Sequence, residues 1–159
     1  GGEGTDRIYG GVGNDTLDGG RDNDSLYGNN GDDRLLGDHG DDSMKGGRGD
    51  DTLVGGDGHD QMFGERGDDQ LGGGDGDDTL NGARGDDILL GGDGDDTMLA
   101  GSGADIVLGN QGDDYVKGQG GSRDTIAGGE GVDLVFGSVG EIDEAFRVSA
   151  ALMSDLDAV

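Results

Sequence analysis

Residues 73–99 read GGDGDDTLN, GARGDDILL and GGDGDDTML when they are written in rows of nine. Each of these rows has glycine at its first and fourth positions, aspartate at its sixth, and leucine or methionine at its eighth. Extended in both directions, the same frame covers residues 1–136 in fifteen rows, of which Gly118–Ala127 alone has ten residues. A fixed period held over this length is the signature of a repeat architecture, in which each row is one structural unit.

The residue types within a row predict its local structure. The sixth position is aspartate in all fifteen rows, and positions one and four are glycine in all but one row each, the exceptions being Ala100 and Asp22. Glycines at positions one, two and four permit φ > 0 and close backbone approach, as a tight turn requires. Positions seven to nine alternate exposed, buried, exposed, which is the period of a strand. Each row is therefore predicted to form a turn followed by a three-residue strand.

Two successive rows are expected to form one coil, with their strands on opposite sides and their eighth-position side chains meeting inside. Residues 1–136 are thus predicted to form an all-β domain, a right-handed parallel β-roll (a β-solenoid) of about 7.5 coils. At the usual strand spacing of about 4.8 Å, this domain would be a rod of roughly 36 Å.

The repeat ends at Phe136, and residues 137–159 are predicted to be a separate C-terminal element with a short helix. Ser138 and Glu141 have the spacing of a capping box, and apolar residues follow at helical spacing, so we expect an amphipathic helix over about 141–156. Two compatible roles stay open for it. It would cap the open end of the roll, as solenoids require, or it would carry a type I secretion signal, since such signals lie at the C-terminus.

The composition restricts the partners of such a chain. It contains 41 glycines, no proline and no cysteine, and its formal net charge is −27. High net charge with few large apolar residues is typical of disorder, but the regular placement of the glycines argues against a disordered linker. An acidic surface of this density repels nucleic acid and anionic membranes, and no apolar run is long enough to insert into a membrane. The expected partners are cations.

Rows such as GGEGTDRIY (1–9), GGVGNDTLD (10–18) and GGDGDDTML (91–99) are similar to the GGxGxDxUx nonapeptide of the RTX (repeats-in-toxin) family of haemolysin-type calcium-binding repeats. The resemblance covers residues 1–136. It implies that each calcium ion lies between the turns of adjacent coils, with carboxylates from rows n and n+2, such as Asp6 and Asp24, and backbone carbonyls of positions one to four. Calcium prefers six to eight such oxygen ligands.

The metal ligands that this resemblance implies fall into two sets. The sixth-position aspartates are Asp6, Asp15, Asp24, Asp33, Asp42, Asp51, Asp60, Asp69, Asp78, Asp87, Asp96, Asp105, Asp114, Asp124 and Asp133. The fourth-position glycines are Gly4, Gly13, Gly31, Gly40, Gly49, Gly58, Gly67, Gly76, Gly85, Gly94, Gly103 and Gly112. Fifteen turns define thirteen intervals between rows n and n+2, so up to about 13 Ca²⁺ are expected. The extra residue before Asp124 predicts weak or missing sites at that turn.

The resemblance also implies a function. RTX proteins are exported unfolded by type I secretion and fold in the calcium of the medium, so the chain is expected to be secreted, with the type I secretion machinery as a partner. Ordering 136 residues costs on the order of 200 kcal/mol, while the fifteen buried side chains contribute roughly 20–45 kcal/mol. We therefore expect calcium to drive folding. The alternative function is a self-assembling extracellular filament or surface-layer subunit.

Self-association has two routes in this sequence. The first is end-to-end stacking of open rolls, which gives a filament when it does not close. The second is an exposed aliphatic column on one sheet, beside Ile88 and Ile106, which could receive the C-terminal helix or a second molecule. The positions of this column are Asp18, Leu36, Val54, Gly72, Leu90, Leu108 and Ala127.

We expect no enzymatic activity from this chain. It lacks HExxH and GxSxG motifs and has no cysteine nucleophile. Its two histidines, His39 and His59, fall at the third and fifth positions of their rows, where solvated turn residues are expected. In this interpretation any catalysis would reside in a domain that this sequence does not contain.

Overall fold

The computed structural model describes residues 1–119 and 124–137, and these residues form a parallel β-solenoid. The chain alternates between two eight-stranded sheets, one of odd-numbered and one of even-numbered strands. The strands are β1 (Gly2–Glu3), β2 (Arg7–Val12), β3 (Thr16–Arg21), β4 (Ser25–Asn30), β5 (Arg34–His39), β6 (Ser43–Arg48), β7 (Thr52–Asp57), β8 (Gln61–Arg66), β9 (Gln70–Asp75), β10 (Thr79–Arg84), β11 (Ile88–Asp93), β12 (Thr97–Ser102), β13 (Ile106–Gln111), β14 (Tyr115–Lys117), β15 (Thr125–Glu130) and β16 (Leu134–Phe136). The predicted all-β roll is confirmed. The helix predicted over about 141–156 lies outside the described residues.

Every strand pairs in parallel with the strand two further along the chain. Through most of the roll the paired residues are eighteen apart, as Leu80 and Met98 are. Across the ten-residue row the separation becomes nineteen, as between Val107 and Ile126. The eighth positions therefore stay aligned along the whole roll, and the extra residue is accommodated between β14 and β15.

The strands are longer than the sequence predicts. Most have six residues and join positions seven to nine of one row to positions one to three of the next, as Thr79–Arg84 does. The turn is confined to positions four to six. The prediction of three-residue strands was wrong. Residues at positions two and three also pair with the neighbouring coil, as Ala83 pairs with Gly101, so they belong to the strand. That pairing extends the ladder whatever the side chain is.

The eighth-position side chains form one ladder through the interior, as predicted. Each strand from β2 onward contributes one large apolar eighth-position residue, and the two sheets supply these residues alternately. Ala100, the one first position that is not glycine, belongs to the same core. Ile8 and Val135 pack against it at the two ends. The buried members of the ladder are Leu17, Leu26, Leu35, Met44, Leu53, Met62, Leu71, Leu80, Leu89, Met98, Val107, Val116 and Ile126.

The outer faces of the two sheets differ in chemistry. The aliphatic column of the odd-numbered strands is less exposed than predicted, since Leu108 is 7% exposed and Leu36, Val54 and Leu90 are half-buried. On the other sheet, the rings of Tyr9 and Tyr27 stack with their centroids 4.8 Å apart. Within residues 1–119 and 124–137, no helix is long and apolar enough to cross a membrane.

Candidate metal centre

The sixth-position aspartates lie at the two edges of the roll, where each turn enters a strand. Asp6, Asp15 and Asp133, near the two ends, are half-buried. The remaining twelve are at most 5% exposed, which is unusual for carboxylates because burial disfavours their charge. They are Asp24, Asp33, Asp42, Asp51, Asp60, Asp69, Asp78, Asp87, Asp96, Asp105, Asp114 and Asp124.

From Asp24 to Asp133, one oxygen of each sixth-position carboxylate accepts a backbone hydrogen bond from the preceding coil. Oδ1 of Asp78 accepts a hydrogen bond from the N–H of Asp60 at 2.8 Å, and the same bond recurs along both edges at 2.6–2.9 Å. It lengthens to 3.2 Å at Asp124 and 3.1 Å at Asp133, where the partners are nineteen residues apart. Rows n and n+2 are therefore brought together, as predicted, and a carboxylate-to-backbone bond joins them.

The second oxygen, Oδ2, lies against the first-position residue of its own row. In twelve of these carboxylates it is buried and has no hydrogen-bond partner among the described residues. A buried polar atom without a partner is rare in native proteins and usually marks an ion, a water or a functional role. The aspartates concerned are Asp15, Asp24, Asp33, Asp42, Asp51, Asp60, Asp69, Asp78, Asp87, Asp96, Asp105 and Asp114.

Oδ2 packs closely against the first-position glycine of the same row, except in the row that begins with Ala100, and this contact leaves no room for a side chain. A Cβ added at Gly19 would lie 2.6 Å from Oδ2 of Asp24 and 2.9 Å from the carbonyl oxygen of Gly37, one coil further on. The orphaned carboxylate oxygen and a backbone carbonyl oxygen therefore both lie close to this glycine. Calcium accepts both kinds of oxygen ligand, so the chemistry of these donors suits a calcium ion.

The first-position glycines were explained only in part from the sequence, because they permit close approach but do not take positive φ. We expected positive φ at positions one, two and four, but among the described residues the first-position glycines do not take it, whereas positions two and four do. Glycine is needed at position one for space, because a Cβ would strike the carboxylate. At position four, Asp22 takes φ 73, so this aspartate does adopt the left-handed conformation of the glycine it replaces.

The fourth-position glycines, which were predicted as ligands, lie on a different line of carbonyls. The N–H of Gly76 donates to the carbonyl of Asp93 at 2.7 Å. The carbonyl oxygen of Gly58 lies directly against Cα of Gly76, where a Cβ would overlap it. The carbonyl oxygen that lies near the same glycine as Oδ2 is that of position one in the next coil. A ligand role for the fourth-position carbonyls stays a prediction.

Burial raises the pKa of the sixth-position carboxyl groups from Asp42 to Asp114. The pKa of Asp69 and of Asp96 rises to about 7, because desolvation outweighs the backbone hydrogen bond that favours the charged form. The neighbouring carboxylate of Asp87 raises the pKa of Asp69 further. Such a group is partly protonated at neutral pH unless a cation stabilises its charge. For the same main reason the pKa rises to about 6 in Asp42, Asp51, Asp60, Asp78 and Asp87.

A second ladder, at the fifth position, was missed by the sequence analysis. Oδ1 of Asp50 accepts the N–H of Asp68 at 2.9 Å, and Oδ1 of Asp68 accepts that of Asp86 at 2.8 Å. Each N–H of this ladder donates to a side chain in the preceding coil, whereas each N–H of the sixth-position ladder donates to one in the following coil. The signal was present, because ten of the fifteen fifth positions are aspartate or asparagine. Both residue types accept hydrogen bonds from nearby backbone.

Both histidines take part in contacts between coils. His59 occupies a fifth position, and its Nδ1 accepts the N–H of Asp77 at 2.8 Å, where other rows use a carboxylate. Nδ1 of His39 lies 2.9 Å from Oδ2 of Asp57. Within the described residues, no three His, Cys, Asp or Glu side chains form a metal-binding cluster. A cation in these turns would therefore rely on backbone carbonyls as well as on aspartate.

The same repeat is identified by comparison with known families. A family model described as the RTX calcium-binding nonapeptide repeat matches six segments of the chain, residues 1–35, 36–71, 72–107, 90–122, 99–131 and 108–141. Together these segments span residues 1–141, which includes all fifteen rows. No curated protein sequence matches the chain.

Proposed function

We propose that this chain, which belongs to the RTX calcium-binding nonapeptide repeat family, folds only when calcium enters its turns and serves as a calcium-dependent structural module of a secreted protein. As a member of that family it is a calcium-binding β-roll. The proposal adds that calcium drives folding, that the sixth-position aspartates hold the ions, and that folding takes place outside the cell.

The observation that carries the proposal is the series of orphaned Oδ2 atoms. Each of twelve buried carboxylate oxygens lacks a partner among the described residues. Leaving one such group unpaired costs on the order of 1–3 kcal/mol. Twelve of them together match or exceed the net stability of an ordinary domain, about 5–15 kcal/mol. The roll therefore needs a partner for these atoms, and a cation between the coils supplies it.

Calcium fits the donor set better than other common cations. The atoms available are carboxylate and carbonyl oxygens, which suit hard cations rather than zinc or copper. Magnesium requires near-ideal octahedral geometry and gives up its water reluctantly, whereas calcium accepts irregular shells. If each of the thirteen intervals holds one ion, the ions bring a charge of +26 against a formal net charge of −27. Full occupancy would nearly neutralise the chain.

The proposed site uses each row in the same way. Oδ2 of the sixth-position aspartate and the first-position carbonyl of the next coil would be ligands, as Asp24 and Gly37 illustrate. The fourth-position carbonyls remain candidates for the rest of the shell. When bound, calcium supplies charge compensation and holds adjacent coils together. The protein's own contribution is the series of Oδ1 hydrogen bonds, which orients the carboxylates from Asp24 to Asp133.

The proposed location is extracellular. Extracellular calcium modules are tuned to about 10⁻⁴–10⁻³ M, far above cytosolic calcium. A chain that stays unfolded without calcium is suited to export by a type I system, and it would fold after release. In this proposal, residues 137–159 serve as a cap on the roll or as the export signal.

Far-UV circular dichroism during a calcium titration tests the proposal, with magnesium as the control. The expected result is a cooperative coil-to-strand transition with calcium and none with magnesium at the same concentration. Light scattering on the same samples tests the alternative of a calcium-dependent filament or surface-layer subunit, which predicts particle growth. A chain that shows full strand signal in chelator contradicts calcium-driven folding.

A matched pair of variants tests the assignment of the ligands. Asp78→Asn keeps the side-chain size and an oxygen for the N–H of Asp60, but it removes the second carboxylate oxygen. Asp75→Asn makes the same charge change three residues earlier, at an exposed position. We expect Asp78→Asn to raise the calcium midpoint about tenfold, equivalent to about 1.4 kcal/mol. Equal midpoints for the two variants would contradict the ligand assignment.

A further inference from the structure

The two sheets of the roll carry opposite charge, although the chain as a whole is acidic. The strands of the even-numbered sheet contain six lysines or arginines and a single acidic residue, Glu65. The strands of the odd-numbered sheet contain two arginines and seven acidic residues. One face of the roll is therefore positive and the other is negative. The cations of the even-numbered sheet are Arg7, Lys45, Arg48, Arg66, Arg84 and Lys117.

Two columns of opposite charge lie at the third position of the repeat. Three arginines end successive strands of the even-numbered sheet, and three aspartates end successive strands of the odd-numbered sheet. The arginine column consists of Arg48, Arg66 and Arg84, which are paired in register and exposed. The aspartate column consists of Asp57, Asp75 and Asp93, which are also paired in register and exposed. Because neighbouring strands of either sheet lie about 4.8 Å apart, the two columns have the same spacing.

The arginine column is not neutralised within the described part of the chain. None of its three members forms an ion pair with a described carboxylate. Asp50 and Asp68, which follow two of these arginines by two residues, accept backbone N–H groups of the next coil instead. The carboxylate of Asp75 likewise has no partner among the described residues. Both columns are therefore available to groups on another molecule.

Each face is also large enough for a stable contact. It has eight strands, most of them with six residues, so at the usual strand dimensions it covers roughly 700–800 Å². A standard interface buries about 800 Å² per partner. Apolar surface accompanies the charges, since Tyr9 on the positive sheet is 58% exposed and Ile106 on the negative sheet is 42% exposed. The two faces thus complement each other in charge and match in size.

We propose that the even-numbered sheet of one copy of this chain binds the odd-numbered sheet of a second copy, with the arginine column against the aspartate column. The inference rests on the proposed function, because bound calcium has to offset the net charge of −27 before two copies can approach. The contact uses a different surface on each partner, so every pair leaves one positive and one negative face free. Further copies can add to either face. This contact differs from end-to-end stacking, which joins the open ends of two rolls.

Sedimentation velocity of the calcium-loaded full chain tests the proposal. We expect association that grows with protein concentration in dilute buffer and weakens at least tenfold in about 1 M salt, where the screening length is about 3 Å. Two triple variants reverse one column each. They are Arg48→Asp with Arg66→Asp and Arg84→Asp, and Asp57→Arg with Asp75→Arg and Asp93→Arg. Both residue types occur naturally at the third position, so the fold accommodates them there.

The two triple variants are each other's matched control. Each has columns of like charge on its two sheets, so each alone is expected to associate at least tenfold more weakly than the unmodified chain. An equimolar mixture is expected to regain association, because each variant then meets a column of opposite charge. If a triple variant does not fold with calcium, Arg66→Asp and Asp75→Arg, at the centres of the two columns, provide the same comparison.

The outcomes separate this inference from the proposed function. An unmodified chain that neither binds calcium nor folds with it contradicts the proposed function. A chain that folds with calcium and stays monomeric overturns only the inference. Association that persists unchanged in both variants also overturns it, because stacking through the ends of the roll does not depend on these columns. Stronger association of the aspartate-to-arginine variant alone would assign the effect to net charge and overturn the pairing of the two sheets.

Discussion

The N–H of Asp60 donates to Oδ1 of Asp78 in the following coil at 2.8 Å, while the N–H of His59 donates to Oδ1 of Asp41 in the preceding coil at 3.0 Å. Adjacent residues of one turn are therefore tied in opposite directions along the roll. Both turn amides are satisfied by side chains, which is unusual for a repeat that pairs mainly through backbone. From Asp24 to Asp133, Oδ1 of each sixth-position aspartate accepts a backbone N–H, and Oδ2 is the oxygen that we propose binds a cation.

Acidification should stabilise the roll in the absence of calcium. The pKa of Asp78 rises to about 6 and that of Asp69 to about 7, both from 3.8, mainly through burial. Because the folded-state pKa is raised, this contribution to stability is fully present below about pH 4 and is lost as the pH rises through 6 to 7. We expect the strand signal in chelator to increase as the pH falls from 7.5 to 4, as measured by circular dichroism.

Two variants control for the general loss of negative charge at low pH. Asp78→Asn removes one carboxyl group whose pKa is raised and should reduce the pH dependence of the strand signal. Asp75→Asn removes an exposed carboxylate and should reduce it less. A strand signal that decreases on acidification would show that these carboxyl groups are not buried in the calcium-free fold.

Two adjacent glycines, Gly72 and Gly73, test whether the close packing of a first-position glycine against Oδ2 matters for calcium binding. A Cβ on Gly73 would overlap Oδ2 of Asp78 and the carbonyl of Gly91, whereas a Cβ on Gly72 would meet nothing within 4 Å. We expect Gly73→Ala to raise the calcium midpoint at least tenfold, about 1.4 kcal/mol. Gly72→Ala should be neutral or stabilising by about 0.5–1 kcal/mol, since alanine restricts the unfolded chain. Similar midpoints for both variants would show that the position of the Asp78 carboxylate, which Gly73→Ala displaces, does not affect calcium binding.

The sequence predicted the course of the chain because the repeat constrains it at two positions. A large apolar residue at every eighth position, such as Leu80 or Met98, allows only one arrangement that buries all of them, with rows n and n+2 in register. Aspartate at every sixth position predicted the edge on which the carboxylates align. The ten-residue row did not disturb this register, because the extra residue falls between strands.

Three finer features of the roll could not be predicted from the sequence: the strand length, the separate uses of Oδ1 and Oδ2, and the role of the first-position glycine. Strand length depends on pairing between coils, which extends the ladder through residues such as Ala83 that have no strand preference. The separate uses of Oδ1 and Oδ2 follow from side-chain orientation, which the spacing of aspartates does not determine. The same holds for the first-position glycine: the sequence shows that Gly19 is glycine, and the structure shows that space beside Asp24 is the reason.

The fifth-position ladder predicts a specific effect at His59. Its Nδ1 accepts the N–H of Asp77 at 2.8 Å, and alanine would leave that N–H without its partner. We expect His59→Ala to lower the free energy of unfolding by about 0.5–1.5 kcal/mol, the usual contribution of one hydrogen bond. His59→Asn should retain most of the stability, because Asn14 accepts the N–H of Asp32 in the same way at 3.0 Å. Urea unfolding at saturating calcium measures both variants, and equal losses would exclude the ladder as the cause.

The interior ladder should be far more sensitive to truncation than the surface. Leu80 is 0% exposed and lies in the middle of the roll, so Leu80→Ala should lower the free energy of unfolding by about 2–5 kcal/mol at saturating calcium. Leu134, at 54% exposure, provides the same substitution outside the core and should change it by about 0.5 kcal/mol or less. Because each coil contacts only its neighbours, the loss at Leu80 weakens the joint to the coil on either side. Urea unfolding monitored by circular dichroism measures both variants, and comparable losses would mean that calcium alone, without the apolar ladder, determines the stability of the roll.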